Sequence, residues 1–137
     1  MNAREHDVGD SPLIIAAQFG RLQVVNTLLV ASADVNHRNG HNCTVLFEAS
    51  RLGNVVTLKV IVGHGADVHS SDEGSDGVRD YSALHVASEN GHFNAMLALL
   101  LFGAKVNARD YSEETPLHTA CRRASDGLER AVDLLLR

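Results

Sequence analysis

A short motif recurs four times along the chain and constrains its architecture more than any other feature. Its clearest copy, at 115–120, reads TPLHTA, and the leucines of the four copies are at positions 13, 46, 84 and 117. Successive copies are therefore 33, 38 and 33 residues apart. A near-constant period of this size is typical of proteins built by stacking one helical unit. We predict an array of about four repeats.

Each copy of the motif is expected to open a pair of short helices. In the first repeat, Ser11 is a candidate N-cap, Pro12 suits the first helical position, and Gly20 can end the helix with a positive φ. The pattern predicts one helix over about 12–19 and a second over about 22–30. The second helix should present an apolar face formed by Val24, Val25, Leu28 and Leu29. Helices this short are marginal alone, so neighbouring repeats must bury one another.

Charge and cysteine content argue against several classes of protein. The formal net charge is −5, and Arg122-Arg123 forms the one short basic run, so we expect no nucleic-acid binding. The longest apolar run, 95–103, is far shorter than the roughly 20 residues that cross a bilayer, so no membrane insertion is expected. Cys43 and Cys121 lie in different repeats, which favours a reducing compartment, the cytoplasm or the nucleus.

No arrangement of residues points to catalysis or to a metal. The histidines lack the spacing of a zinc motif, and zinc needs three or four converging ligands. Serine, histidine and aspartate recur at equivalent places in the repeats, as a structural role predicts and a unique catalytic triad does not. We predict no enzymatic activity, no metal and no cofactor.

The full repeat resembles the ankyrin repeat. The resemblance rests on the TPLH-type opening, a glycine turn, a Val- and Leu-rich second helix and a Gly-Ala-Asp-Val turn such as 65–68. It implies an all-α solenoid of about four helix-turn-helix units with β-hairpin-like loops. We expect one domain over 1–137, with repeats near 6–38, 39–71, 77–109 and 110–137, an inserted loop at 70–80 and a truncated last repeat. The chain is therefore expected to be part of a longer array.

Departures from the ankyrin pattern predict local differences between repeats. The motif histidine is kept at His85 and His118 but is replaced by Ile14 and Phe47 in the first two repeats. Bonding between this histidine and the capping hydroxyl should therefore be lost there. Ser32 stands where Gly65 and Gly103 stand in later repeats, so a strained turn with positive φ is expected at Ser32.

A partner surface is best sought at positions that vary between repeats while the repeat frame stays fixed. In an ankyrin frame, these positions are the loop tips and the exposed ends of the first helices, and aromatic residues and arginine are frequent interface anchors. The predicted partner-binding residues are Phe19, Arg51, Leu52, Tyr81, Glu89, Asn90, Tyr111, Glu114, Arg122 and Arg123. A wider set of variable positions adds Asp10, Gln18, His41, Cys43 and Ser112.

The resemblance implies a module that binds another protein through its concave face and loops, and we expect a monomer. The opening of the fourth repeat and the uneven repeat lengths look like those of ankyrin proteins with a SOCS box. Such proteins recruit substrates to cullin-RING ubiquitin ligases. The alternative is a regulatory or structural ankyrin segment that packs within a larger enzyme or channel.

Asn36 and Asn107 are candidate modification sites by resemblance. Each ends a Val-Asn turn with a leucine eight residues upstream, Leu28 or Leu99, a pattern similar to one hydroxylated by an asparaginyl oxygenase in ankyrin proteins. A turn residue that hydrogen-bonds its own loop is the structural alternative.

Overall fold

The computed structural model describes residues 9–40, 43–69, 71–72, 81–110 and 112–122. Helices dominate this part of the chain, and one short antiparallel pair of strands joins Ser71 to Ser82 and Asp72 to Tyr81. In chain order the elements are α1 (Pro12–Gln18), α2 (Leu22–Val30), α3 (Val45–Leu52), α4 (Val55–Gly63), β1 (Ser71–Asp72), β2 (Tyr81–Ser82), α5 (Ala83–Glu89), α6 (Phe93–Leu101) and α7 (Pro116–Arg122).

The helices stack as two layers. The first helices of the repeats, α1, α3, α5 and α7, pack side by side, and so do the second helices α2, α4 and α6. Each of the first three repeats also packs its own two helices together. The predicted all-α array of helix pairs is confirmed. Most of the expected insertion at 70–80 and the second half of the fourth repeat lie outside the described residues.

The helix starts follow from the capping residues in the sequence. Ser11 Oγ accepts a hydrogen bond from the Ile14 N–H at 3.2 Å, and Thr44 Oγ1 accepts one from the Phe47 N–H at 3.3 Å. Each bond satisfies a backbone donor that has no partner inside the helix. Gly20 has a φ of 67°, as predicted, and α1 ends at Gln18, one residue before the predicted end.

The repeat leucines form the centre of the core in three of the four repeats. Leu13, Leu46 and Leu84 are each about 1% exposed, whereas Leu117 is only partly buried against the core. The prediction for the face of α2 was wrong at Val24, which is 48% exposed although Val25 is fully buried. Successive residues are about 100° apart around a helix, which takes Val24 out of the narrow contact with the first-helix layer.

The motif histidines form the bonds that the sequence predicts. In the third repeat, the Ser82 hydroxyl lies 2.8 Å from His85 Nδ1, and the Nε2–H of His85 donates to the Glu114 carbonyl oxygen at 2.8 Å. Because Nε2 donates, Nδ1 is the acceptor for the Ser82 hydroxyl and N–H. In the first repeat, Ile14 fills the equivalent position and is 1% exposed, so apolar packing stands in for the polar network.

The turn after α2 has the predicted backbone strain. Ser32 has a φ of 69°, while the equivalent glycines, Gly65 and Gly103, have φ values of 95° and 96°. A side chain in this left-handed region clashes with the following carbonyl, which glycine avoids.

The described helices are all too short to cross a lipid bilayer.

Candidate partner-binding face

The ends of the first helices form one continuous edge of the array. Counted from the repeat leucine, one set of equivalent positions holds Gln18, Arg51, Glu89 and Arg122, and the next holds Phe19, Leu52, Asn90 and Arg123. Because the first helices pack side by side in this frame, the described members of both sets line up along the stack. We call Phe19, Arg51, Leu52, Glu89, Asn90 and Arg122 the first-helix row.

The beginning of the row is apolar and open to solvent. Phe19 caps the C-terminus of α1 and is 59% exposed, and Leu52, the last residue of α3, is 39% exposed. Exposed large apolar side chains are individually common, but these two lie at equivalent ends of neighbouring helices and so on the same edge of the array. The sequence-based prediction of these two positions therefore falls on an accessible surface.

Arg51 is held in place by a buried carboxylate. Its Nη2–H donates to Glu48 Oε2 at 2.7 Å and its Nε–H to the same oxygen at 3.2 Å. Glu48 is only 7% exposed, while the Arg51 side chain is 45% exposed. The pair fixes the guanidinium at the surface with part of its donor capacity still facing solvent.

The far end of the row carries a cluster of both charges. The Arg122 guanidinium donates from Nη1 to Glu114 Oε2. The pKa of Arg122 is raised above its ordinary value, first by this hydrogen bond and by the charge of Glu114, and further by Asp110 and Glu89. The structure thus brings Glu89, Glu114 and Arg122 together, and the surface there carries both charges.

Some predicted positions lie outside this description. Tyr111 and Arg123 are not among the described residues, and only the backbone of Tyr81, in β2, is described. The Asn90 side chain donates from Nδ2 to the Val86 carbonyl oxygen at 2.8 Å, so part of its hydrogen-bonding capacity serves its own helix.

Cys43 was wrongly placed in the wider set of variable surface positions. It is 8% exposed, and its N–H donates to Asn39 Oδ1 at 2.9 Å. This bond holds Cys43 against the loop that leads into α3. Because its side chain is buried there, Cys43 belongs to the core.

Sequence reasoning missed Asp110, which shapes the loop next to Arg122. The Asp110 carboxylate accepts hydrogen bonds from the Ser112 N–H at 2.8 Å and the Glu114 N–H at 3.0 Å, and the residue is 6% exposed. Asn39 is its equivalent two repeats earlier and makes the similar bond to Cys43. Aligning the loops as well as the helix motifs would have revealed this role.

Asn36 links two repeats. Its Nδ2–H donates to the Gly65 carbonyl oxygen at 3.2 Å, and its Oδ1 accepts from the Asp67 N–H at 2.9 Å. Both Asn36 and Asn107 are exposed. The Asn36 side chain therefore bonds the turn of the next repeat and not its own loop, unlike the structural alternative, and hydroxylation of either residue remains a proposal.

Within the described ranges, His, Cys, Asp and Glu side chains do not converge in a group of three or more that could hold a metal ion.

Comparison with known proteins agrees with the stacked fold. The family model for ankyrin repeats, which describes three copies, matches residues 1–72 and 46–137. Human ankyrin repeat and KH domain-containing protein 1 is 34% identical over 107 residues, which cover 78% of this chain and 4% of that protein. The E3 ubiquitin-protein ligase XBAT32 of Arabidopsis thaliana is 29% identical over 133 residues, 88% of this chain and 25% of the ligase.

Human BCL-6 corepressor-like protein 1 is 34% identical over 125 residues, which cover 90% of this chain and 7% of that protein. The chain therefore spans only a small part of each of these curated relatives. With the family model matching throughout and the helix pairs stacked in frame, this chain belongs to the ankyrin-repeat family.

Proposed function

We propose that this chain is a protein-interaction module that binds a partner along the first-helix row. The observation that carries the proposal is the alignment of exposed Phe19 and Leu52 with the ion-paired Arg51 and Arg122 on neighbouring helix ends. An apolar anchor flanked by charged residues is a common composition for an interface. The partner segment that fits has one or two large apolar residues followed by residues of both charges.

The charges of the row favour orientation over raw affinity. Arg51 and Arg122 already have carboxylate partners within the chain, so at these two positions a bound protein adds to existing ion pairs. Charge complementarity of this kind fixes the register of a partner and speeds its approach. Most of the binding free energy would then come from burying Phe19 and Leu52.

The predicted loop residues Tyr81, Tyr111 and Arg123 belong to the same proposal. Tyr81 and Tyr111 precede the capping residues of the third and fourth repeats, and Arg123 follows Arg122 directly. They would extend the row towards the loops.

Recruitment of a substrate for ubiquitin transfer is the pathway we favour. Two of the similar proteins, XBAT32 and XBAT33 of Arabidopsis thaliana, are named E3 ubiquitin-protein ligases. On this proposal the chain holds the substrate, in the manner of a cullin-RING receptor, and has no catalytic chemistry of its own. We place it in the cytoplasm or nucleus, as a monomer. The alternative is a regulatory segment that packs within a larger enzyme or channel.

A crosslinking experiment tests the first-helix row. A photoreactive amino acid is placed at Phe19 or Leu52, and as a matched control at Val30 or Leu101, which are 78% and 77% exposed but lie on the second-helix layer. After irradiation in cell extract, mass spectrometry identifies the attached proteins. We expect one protein to be enriched from positions 19 and 52 over positions 30 and 101, and to be labelled less strongly when Arg122→Ala is added. Equal labelling from all four positions would contradict the proposal.

A further inference from the structure

A cleft in the third repeat lies away from the first-helix row. It has a volume of about 220 Å³ and opens between the loops that follow α4 and α6, at the start of α5. Val68, Leu84 and Ala104 give it an apolar floor, and His69, Lys105 and Arg109 supply polar groups around it. Its apolar floor and cationic rim differ in chemistry from the mixed-charge end of the row.

The charge of the cleft depends on one position of the repeat. Lys105 occupies the place held by Asp34 in the first repeat and Asp67 in the second. Those aspartates stabilise their turns, since Asp34 Oδ1 accepts the Asn36 N–H at 3.0 Å and Asp67 Oδ1 accepts the His69 N–H at 2.9 Å. A lysine has no acceptor and cannot form this bond. The third repeat therefore lacks a turn bond that its two predecessors have.

The equivalent cleft in the first repeat shows what the exchange does. That cleft also has an apolar floor, which includes Leu13 and Ala33, but Asp34 lines it. The presence of lysine in place of aspartate at this one position of the repeat thus makes the cleft cationic in the third repeat, whereas it is acidic in the first. Loss of a turn bond in exchange for a positive charge is most simply explained by a ligand that carries negative charge.

The cationic side chains of the cleft form only weak ion pairs, or none, with the described part of the chain. Arg109 Nη1 lies 3.5 Å from Glu113 Oε2, but the two side chains are 65% and 78% exposed, and an ion pair this exposed contributes little. Within the part of the chain that the structure describes, Lys105 has no ion-pair partner. In a protein with a net charge of −5, this is a local positive site.

We propose that the cleft binds an acidic residue of the partner protein, with a neighbouring apolar residue seated on the floor formed by Val68, Leu84 and Ala104. This inference rests on the proposed protein-binding function and adds a second contact to it. Lys105 and Arg109 would donate charge-assisted hydrogen bonds to the carboxylate, which are stronger than neutral ones. The partner would then carry an acidic and apolar pair outside the segment that meets the first-helix row.

A peptide selection tests the cleft directly. A phage-displayed library of random peptides is selected on the full chain, and enriched peptides are then measured by fluorescence anisotropy against Lys105→Asp. This variant restores the residue type of the first two repeats and with it a turn acceptor, so thermal unfolding should show a stack at least as stable as the parent. Lys59→Glu, an exposed lysine on α4, is the matched charge control. The insertion at 70–80 carries Asp72, Glu73, Asp76 and Asp80, and these are kept in every variant so that only the charge at position 105 or 59 differs.

We expect peptides with Asp or Glu beside an apolar residue, whose affinity falls about three- to tenfold with Lys105→Asp, which replaces an attraction by a repulsion, and is unchanged with Lys59→Glu. Peptides that lose binding with Arg122→Ala but not with Lys105→Asp would overturn the inference and leave the first-helix row standing. Failure to enrich any peptide over the bare support would also overturn it, while the crosslinking experiment judges the row independently.

Discussion

Substitution of Gly53 by alanine tests the contact between the second and third repeats. Gly53 ends α3 with a φ of 73°, and a Cβ added to it would lie 2.5 Å from Cγ and 2.6 Å from Nδ1 of His92, in the next repeat. The His92 ring also donates from Nε2 to the Arg51 carbonyl oxygen at 3.0 Å. Gly53→Ala must therefore displace the ring and break this bond.

The expected cost has two parts. Alanine at a positive φ costs about 1 kcal/mol or somewhat more, and loss of a neutral hydrogen bond adds about 0.5–1.5 kcal/mol. Gly20→Ala is the matched control, because Gly20 has a similar φ of 67° with no atom within 4 Å of its added Cβ. We expect Gly53→Ala to lower the free energy of unfolding by about 2 kcal/mol and Gly20→Ala by about 1 kcal/mol.

Urea unfolding followed by circular dichroism measures both variants, and a double-mutant cycle with His92→Ala isolates the contact. In the His92→Ala background, Gly53→Ala should cost no more than Gly20→Ala, since the ring that it displaces is absent. Equal costs for the two glycines in the parent background, or an unchanged cost after His92 is removed, would refute the assigned contact.

Three further predictions concern the core, the strained turn and the candidate modification sites. Leu84→Ala should destabilise the chain by about 2–5 kcal/mol, whereas Leu117→Ala should cost less because Leu117 is only partly buried; equal losses in urea unfolding would contradict this. Ser32→Gly should raise the thermal midpoint slightly. Glycine relieves about 1 kcal/mol of backbone strain at this positive φ, and its greater conformational entropy in the unfolded chain offsets part of that gain. A lower midpoint would contradict this prediction. Peptide mass spectrometry of cell-derived protein should show one added oxygen at Asn36 or Asn107, and unmodified peptides at both positions would dismiss the proposal.

Local chemistry explains why the helix pattern was predictable. Capping at Ser11 and Thr44 and the positive φ of Gly20 depend on a few adjacent residues, so the sequence places these helix ends within about one residue. The exposed ends at Phe19 and Leu52 were also predictable, because a constant repeat frame carries one residue's environment to the next repeat.

Contacts that depend on the exact stacking were not predictable. Arg122, the last residue of α7, pairs with Glu114 in the loop before that helix, and His92 meets Gly53 from another repeat. Neither pairing has a periodic signal in the sequence. Val24 shows the same difficulty within one helix, since an apolar residue next to the buried Val25 can still face solvent. The positive charge of the cleft, by contrast, could have been predicted from the sequence, because aligning the loops shows Lys105 where the first two repeats have aspartate.

The hydrogen bonds between repeats determine how far a disturbance can spread. Asn36 joins the first repeat to the second, His92 joins the third to the second, and His85 joins the third to the fourth, so each bond connects immediate neighbours. Coupling of this kind decays along the array, and local opening is governed by adjacent units. A substitution at the apolar end should therefore leave the charged end almost unaffected, which would allow each end to adapt to its own part of a partner independently.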